Sequence, residues 1–195
     1  MLTRPTYFIK EHTGLLKLTD TYDILDPDTQ MKLGQAREEV KGLIKALRLL
    51  VNKSLMPTRI SIYEGSEDAP QTLRFSIHRG AALFRPKVDI IDADGHSLGY
   101  FKTKAFSIGG AFRVFTPDDQ EIALVKGDWK GWNFKFTSGE DELGEVTKKW
   151  AGVGKELFTS ADNYIIKING EPDTTINTLL LAAGLAIDTI FKEKK

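Results

Sequence analysis

The residues best suited to chemistry in this chain are three histidines, two short motifs that resemble ligand loops, and a tryptophan pair set among lysines. His12, His78 and His96 stand apart, with no H-E-x-x-H motif and no second histidine four residues away. They read as scattered strand or surface side chains. Gly152-Val153-Gly154-Lys155 lacks the leading glycine spacing and the Ser or Thr of a phosphate loop, and no G-x-S-x-G elbow is present. Asp92-Ala93-Asp94-Gly95 opens like a calcium loop, but no glutamate closes it and a strand pattern resumes at once. A tight hairpin turn is the simpler reading. Trp129 and Trp132 lie beside Lys126 and Lys130, a combination that can stack on bases or rest at a lipid interface. Packing at a hairpin tip accounts for them equally well. The motifs therefore supply no nucleophile with its base, no metal ligand set and no cofactor loop, and the chain is expected to be no enzyme.

Composition narrows the partners. The chain has 195 residues, enough for one domain with a real core, and its 27 Lys and Arg balance its 27 Asp and Glu. A neutral total provides no global field for nucleic acid or anionic lipid, so any such attraction must be local. With no cysteine there is no disulfide framework, thiolate metal site or acylation site. The opening residues lack an apolar stretch of signal-peptide length, so a cytoplasmic protein, peripheral at most to the inner membrane surface, is expected.

The elements that must position these residues are mostly strands. Tyr22 to Gly34, Val88 to Gly99, Phe112 to Ala123 and Phe134 to Gly144 share one plan: a β-rich arm, a turn of Asp, Pro, Gly or Ser, and a second arm reaching Leu-Gly or Ile-Ala. The small closing residue marks a bulge or a close backbone approach. Further strands are expected at Thr58 to Glu64, Leu73 to His78, Phe101 to Phe106 and Asn163 to Ile168, about twelve in all at the spacing of a sandwich or barrel.

Two segments break the β pattern. From Glu38 to Asn52, apolar residues recur at helical spacing while Lys41, Lys45 and Arg48 fall on other faces, an amphipathic basic helix. From Ile176 to Phe191 the chain is apolar on every side, with Leu179, Leu180, Ala183, Gly184 and Ile187 at its heart and Asp188 near its end. As a helix this run reaches roughly 24 Å, short of a ~30 Å hydrocarbon layer. A carboxylate near the bilayer centre would cost about 2.5 to 3.5 kcal/mol. Burial in the protein's own core is the favoured reading, with Gly184 the point of closest approach.

Together these pieces resemble the phospholipid scramblase and LURP-one-related family, of the tubby C-terminal-like superfamily. The stretches that carry the likeness are Ser160-Ala161-Asp162-Asn163-Tyr164, the apolar run closing on Ala186-Ile187-Asp188, the Leu-Gly hairpins and Lys148-Lys149-Trp150. The resemblance implies a mainly β fold: a closed barrel of about twelve strands around a buried C-terminal helix, with one additional amphipathic helix, all in a single domain over residues 1–195. It departs from the family where calcium would bind, because Tyr164, Ile165, Ile166, Lys167 and Ile168 follow Asp162 without further oxygen ligands. Neither calcium nor any cofactor is therefore expected. Lys41, Lys45, Arg48, Trp129 and Trp132 become the candidate contacts for an anionic membrane lipid or a protein partner. A phospholipid scramblase with Ile176 to Phe191 in the bilayer, and a structural or regulatory domain without ligand, stand as alternatives.

Overall fold

Period-two alternation of apolar and polar residues builds twelve strands, and their antiparallel pairing closes on itself. The computed structural model describes residues 1–12, 19–40, 56–66, 70–80, 87–103, 111–128, 131–148, 163–169 and 174–188. The strands are β1 (Thr6–Glu11), β2 (Thr21–Leu25), β3 (Lys32–Glu39), β4 (Thr58–Glu64), β5 (Thr72–Arg79), β6 (Lys87–Asp92), β7 (Ser97–Thr103), β8 (Phe112–Phe115), β9 (Glu121–Asp128), β10 (Asn133–Ser138), β11 (Asp141–Thr147) and β12 (Tyr164–Ile168). Each pairs with its sequence neighbours, and β1 pairs with β12, so the barrel has no open edge.

The repeated hairpin plan has a single geometric meaning. In all four hairpins the residue just before the closing Gly or Ala is the extra residue of a β-bulge: Leu33, Leu98, Ile122 and Leu143 fall between partners that are consecutive on the facing strand. The bulge turns these aliphatic side chains onto the core, where Met1 and Leu2 join them. At Gly99 an added Cβ would lie 2.3 Å from the Phe115 carbonyl oxygen, so the neighbouring backbone itself demands glycine there. Side-chain acceptors hold the turns between the arms. Asp26 Oδ1 accepts the Asp28 and Thr29 amides at 3.0 and 2.9 Å, and Asp92 Oδ1 accepts those of Asp94 and His96 at 2.9 and 2.8 Å.

Inside lies the helix Thr174–Ala186, which ends in a wider, π-type turn through Asp188. Leu179, Ala183 and Ile187 have no solvent exposure and Leu180 has 1 %, as burial on all sides requires. Gly184 rests on β12: a Cβ there would come within 2.5 Å of Ile166 Cδ1. Backbone contact this close needs a residue without a side chain. No helix among the described residues is long and apolar enough to cross a membrane.

The basic helix expected from Glu38 to Asn52 is corrected at its start. Glu38 and Glu39 belong to β3, opposite Ile60 and Arg59, because the alternating pattern of Lys32–Glu39 continues through them. The rest of that segment, with Lys41, Lys45 and Arg48, lies outside the described residues, as does Trp129. A feature not expected from sequence is a row on the barrel's outer face: Ile165, Phe8 and Leu25, in register across β12, β1 and β2, form a second buried apolar cluster.

Candidate functional site

An antiparallel barrel joins its strands alternately at two rims, and here the rims differ in chemistry. The turn rim carries the tight turns Asp26–Gln30, Asp92–His96, Thr116–Gln120 and Ser138–Asp141. The other, the loop rim, receives the longest connections, together with the short one from β9 to β10. In sequence, the turn-rim segments (residues 1–5, 26–31, 65–71, 93–96, 116–120, 139–140 and 169–173) hold ten Asp and Glu against one Arg. The loop-rim segments (12–20, 40–57, 80–86, 104–111, 129–132, 148–163 and 189–195) hold fourteen Lys and Arg against four Asp and Glu. The neutral total conceals connecting sequences of opposite charge in the two sets.

The central helix runs between the two rims. Its first turns face the turn rim, where Thr175 and Thr178 line a small hollow with Asp92, Ala93 and Leu98, and its last residues reach the loop rim. Its N-terminal partial positive charge thus points toward Asp92 and the acidic turns, the favourable sense, whereas the carboxyl of Asp188 stands at its C-terminal end, where a negative charge is disfavoured.

Lys41, Lys45 and Arg48 are carried by the β3–β4 connection and Trp129 by the β9–β10 connection, both anchored at the loop rim. The strands that flank both connections end at that rim, and the four residues themselves lie outside the described residues. Trp132 anchors at the same rim but points inward and is only 9 % exposed. Its ring lies 5.2 Å from Tyr164 and 6.1 Å, edge-on, from Phe134, and Lys148 Nζ sits 4.6 Å above it. A φ of 47° holds it there, a backbone conformation that few aromatic residues adopt. This tryptophan is part of the rim's floor rather than its contact surface. Asp188 is also buried, 2 % exposed, at the loop-rim end of the helix. Burial first, and then the Asp188 carboxyl, push the Tyr22 hydroxyl pKa far above its ordinary value.

Sequence reasoning missed a cleft of about 860 Å³ at the same rim. Glu38, Glu39, Arg59, His78, Arg79 and Asp89 line it. Arg79, 3 % exposed, donates to the Met56 carbonyl at 3.2 Å and to Thr58 Oγ1 at 3.0 Å. Burial opposes ionisation of Glu39, yet the Ser61 and Tyr63 hydroxyls and the Arg59 guanidinium outweigh it and hold the carboxyl below its ordinary pKa. Burial, and then Arg59, depress the His78 ring pKa, while His78 Nε2 meets Ser76 Oγ at 2.8 Å.

The remaining histidines each meet one carboxylate. His12 lies 2.6 Å from Asp23 and His96 lies 3.3 Å from Asp92. Asp92, Asp94 and His96 bring their ligand atoms within 4.8 Å of one another, close enough to meet a cation. The turn itself accounts for this grouping, since Asp92 already accepts two backbone N–H groups.

Comparison with known proteins follows the same outline. Residues 73–194 match the family described as Scramblase. Phospholipid scramblase 2 of Homo sapiens is 32% identical over 66 residues, which cover 33% of this chain and 22% of that protein. Phospholipid scramblase 1 of Mus musculus is 32% identical over 63 residues, 32% of this chain and 19% of that protein. Phospholipid scramblase 2 of Bos taurus is 35% identical over 63 residues, 31% and 22% of the two chains. The matches thus span about a fifth of the length of these curated relatives. No solved structure matches the chain. Because the matched region runs from β5 through the central helix, more than half of the sequence, this chain belongs to the scramblase family.

Proposed function

We propose that this protein is a non-enzymatic barrel module that docks its loop rim on an anionic lipid surface. What supports the reading is the charge of the connecting sequences: those that join strands at the loop rim, which include Lys41, Lys45, Arg48 and Trp129, are basic, and those at the turn rim are acidic. A juxtamembrane Lys or Arg contributes about 1 kcal/mol toward an anionic bilayer, and the attraction decays within a Debye length of roughly 8 to 10 Å. A tryptophan among such charges suits the headgroup layer. The acidic rim, at the other end of the barrel axis, favours an end-on approach.

The test is vesicle flotation of the whole chain with phosphatidylserine liposomes. Binding is expected at low salt and is lost at high salt. Lys41→Glu, Lys45→Glu and Arg48→Glu together should lower it at least a hundredfold. A chain that ignores anionic vesicles at low salt removes the lipid reading and leaves a protein partner for the same surface. The alternative of a scramblase acting with Ile176 to Phe191 in the bilayer is opposed by geometry. It would have to withdraw from the barrel a helix whose Leu179, Leu181, Ala183, Leu185 and Ile187 have no exposure at all.

A further inference from the structure

The turn rim carries a hollow of about 280 Å³ beside the first turn of the central helix. Leu2, Leu73 and Leu98 supply its apolar lining, and Asp92, Asp94 and Thr175 its polar edge. The two large apolar side chains that are exposed among the described residues, Met31 at 63 % and Ile176 at 39 %, belong to the same rim. Its four tight turns carry Asp28, Asp94, Asp118, Glu140 and Asp141, all exposed, and none of these is in an ion pair among the described residues. The rim's own described cations are occupied: Arg4 meets Asp26, and Arg74 meets Glu64 at 3.1 Å. Apolar surface within a polar, charged border is the anatomy of a protein interface. Its sign calls for a basic partner.

We infer that the turn rim docks a second copy of this chain, end to end, through the partner copy's β3–β4 connection. Charge complementarity selects this occupant. In sequence, Lys41, Lys45 and Arg48 alternate with Val40, Leu43, Ile44 and Leu47, and the strands that carry this connection end at the loop rim. A segment both apolar and basic matches a leucine-lined hollow among unpaired carboxylates. Area agrees with the match. Twelve strands about 4.8 Å apart and tilted about 40° close on a ring of roughly 12 Å radius, so with its side chains one end of the barrel presents about 800 Å². Each partner in an ordinary stable interface contributes about that much. Because the two contacting ends differ, the contact does not close as a two-fold dimer and repeats instead into a head-to-tail stack. A net charge of zero leaves no overall repulsion between copies.

Sedimentation velocity of the full chain, from micromolar to submillimolar protein, reads the stack directly. Species beyond a dimer are expected at low salt, and they dissociate at high salt as screening removes the attraction. Asp28→Lys with Asp118→Lys, both at exposed turn positions, should weaken association at least tenfold. Asp89→Lys with Glu145→Lys makes the same change of net charge on the strands of the barrel wall and should leave association unchanged. Lys41→Glu, Lys45→Glu and Arg48→Glu together should abolish it. An equal mixture of that variant with the Asp28→Lys, Asp118→Lys variant should regain a one-to-one complex, because each keeps the end that the other has lost. A monomer at every concentration, a dimer that grows no further, or an equal loss from the wall pair and the turn-rim pair each overturn the assignment. The stack does not rest on lipid docking. The Asp28→Lys, Asp118→Lys variant should still float with phosphatidylserine vesicles, and a chain that stacks yet ignores vesicles defeats the lipid reading alone.

Discussion

At the turn rim, strands are joined by two to seven residues, and in several of these turns the residues' own side chains close the backbone; at the loop rim, the β3–β4 connection alone runs eighteen residues, 40–57. The first rim spends its polar groups on itself: Asp26 and Asp92 accept turn amides, Thr116 Oγ1 accepts the Gln120 amide, and Tyr100 donates to Asp119 at 2.5 Å. The sequences that join strands at the second rim carry an excess of cations. Fixed local chemistry sets register, while long surface connections are where binding residues collect. The same twelve strands thus have one end closed mostly by short, self-bonded turns and another from which the longest connections leave.

The largest test of this contrast removes what both rims enclose. Truncation before Thr174 strips the barrel of its central helix and exposes inward residues such as Phe75, Phe101, Phe134 and Ile166 together. The expected product aggregates or lacks a cooperative unfolding transition by circular dichroism; a soluble, folded β domain would show the helix to be dispensable. Next in size is Gly184→Leu. With Ile166 already inside contact distance of a Cβ, the substitution should cost about 3 kcal/mol by overpacking, read as a lower denaturant midpoint. Combining it with Ile166→Ala should recover part of that loss, and strict additivity would mean the two residues do not touch.

A smaller effect separates turn chemistry from general acidity. The Asp26 carboxyl is held below its ordinary pKa, first by the Thr29 amide and then against the opposing effect of desolvation. A depressed carboxyl pKa contributes stability that is fully present above the unfolded value near 4 and is lost as pH falls through the folded value. The difference in denaturant midpoint between wild type and Asp26→Asn should therefore be greatest near neutrality and shrink below about pH 4. A difference that stays constant with pH would assign the loss to geometry instead. The smallest change is expected from Asp28→Lys with Asp118→Lys at the turn rim, which should leave vesicle flotation within about twofold because these charges lie beyond a Debye length of the docked end. A loss equal to that from Lys41, Lys45 and Arg48 would erase the distinction between the rims.

Much of the fold was legible because its signals are local. The Leu-Gly and Ile-Ala closures marked the bulges at Leu33, Leu98, Ile122 and Leu143, and the all-round apolar run with Gly184 marked the barrel axis. Glu38 and Glu39 were misread because short apolar stretches at a strand end also fit helical spacing. For Trp132 the sequence left surface contact and hairpin-tip packing equally open, and the ring's place against Tyr164 decides for packing. The cleft depends on residues far apart in sequence, Glu39, Arg59, His78 and Asp89, that meet only through register. Charge separation was hidden for a different reason. Composition sums both rims to zero, whereas strand alternation assigns successive connections to opposite ends.

The enclosed helix also sets a schedule. Every strand of the barrel precedes it in the chain, so as synthesis proceeds all twelve emerge before the element they must surround. Closing β1 against β12 before that helix arrives would seal an empty interior. The sheet must stay open, with its edges and apolar face uncovered, until the last interior piece is in place. Such an order makes completion slow and long-range, and the half-assembled barrel is the form most dependent on chaperones.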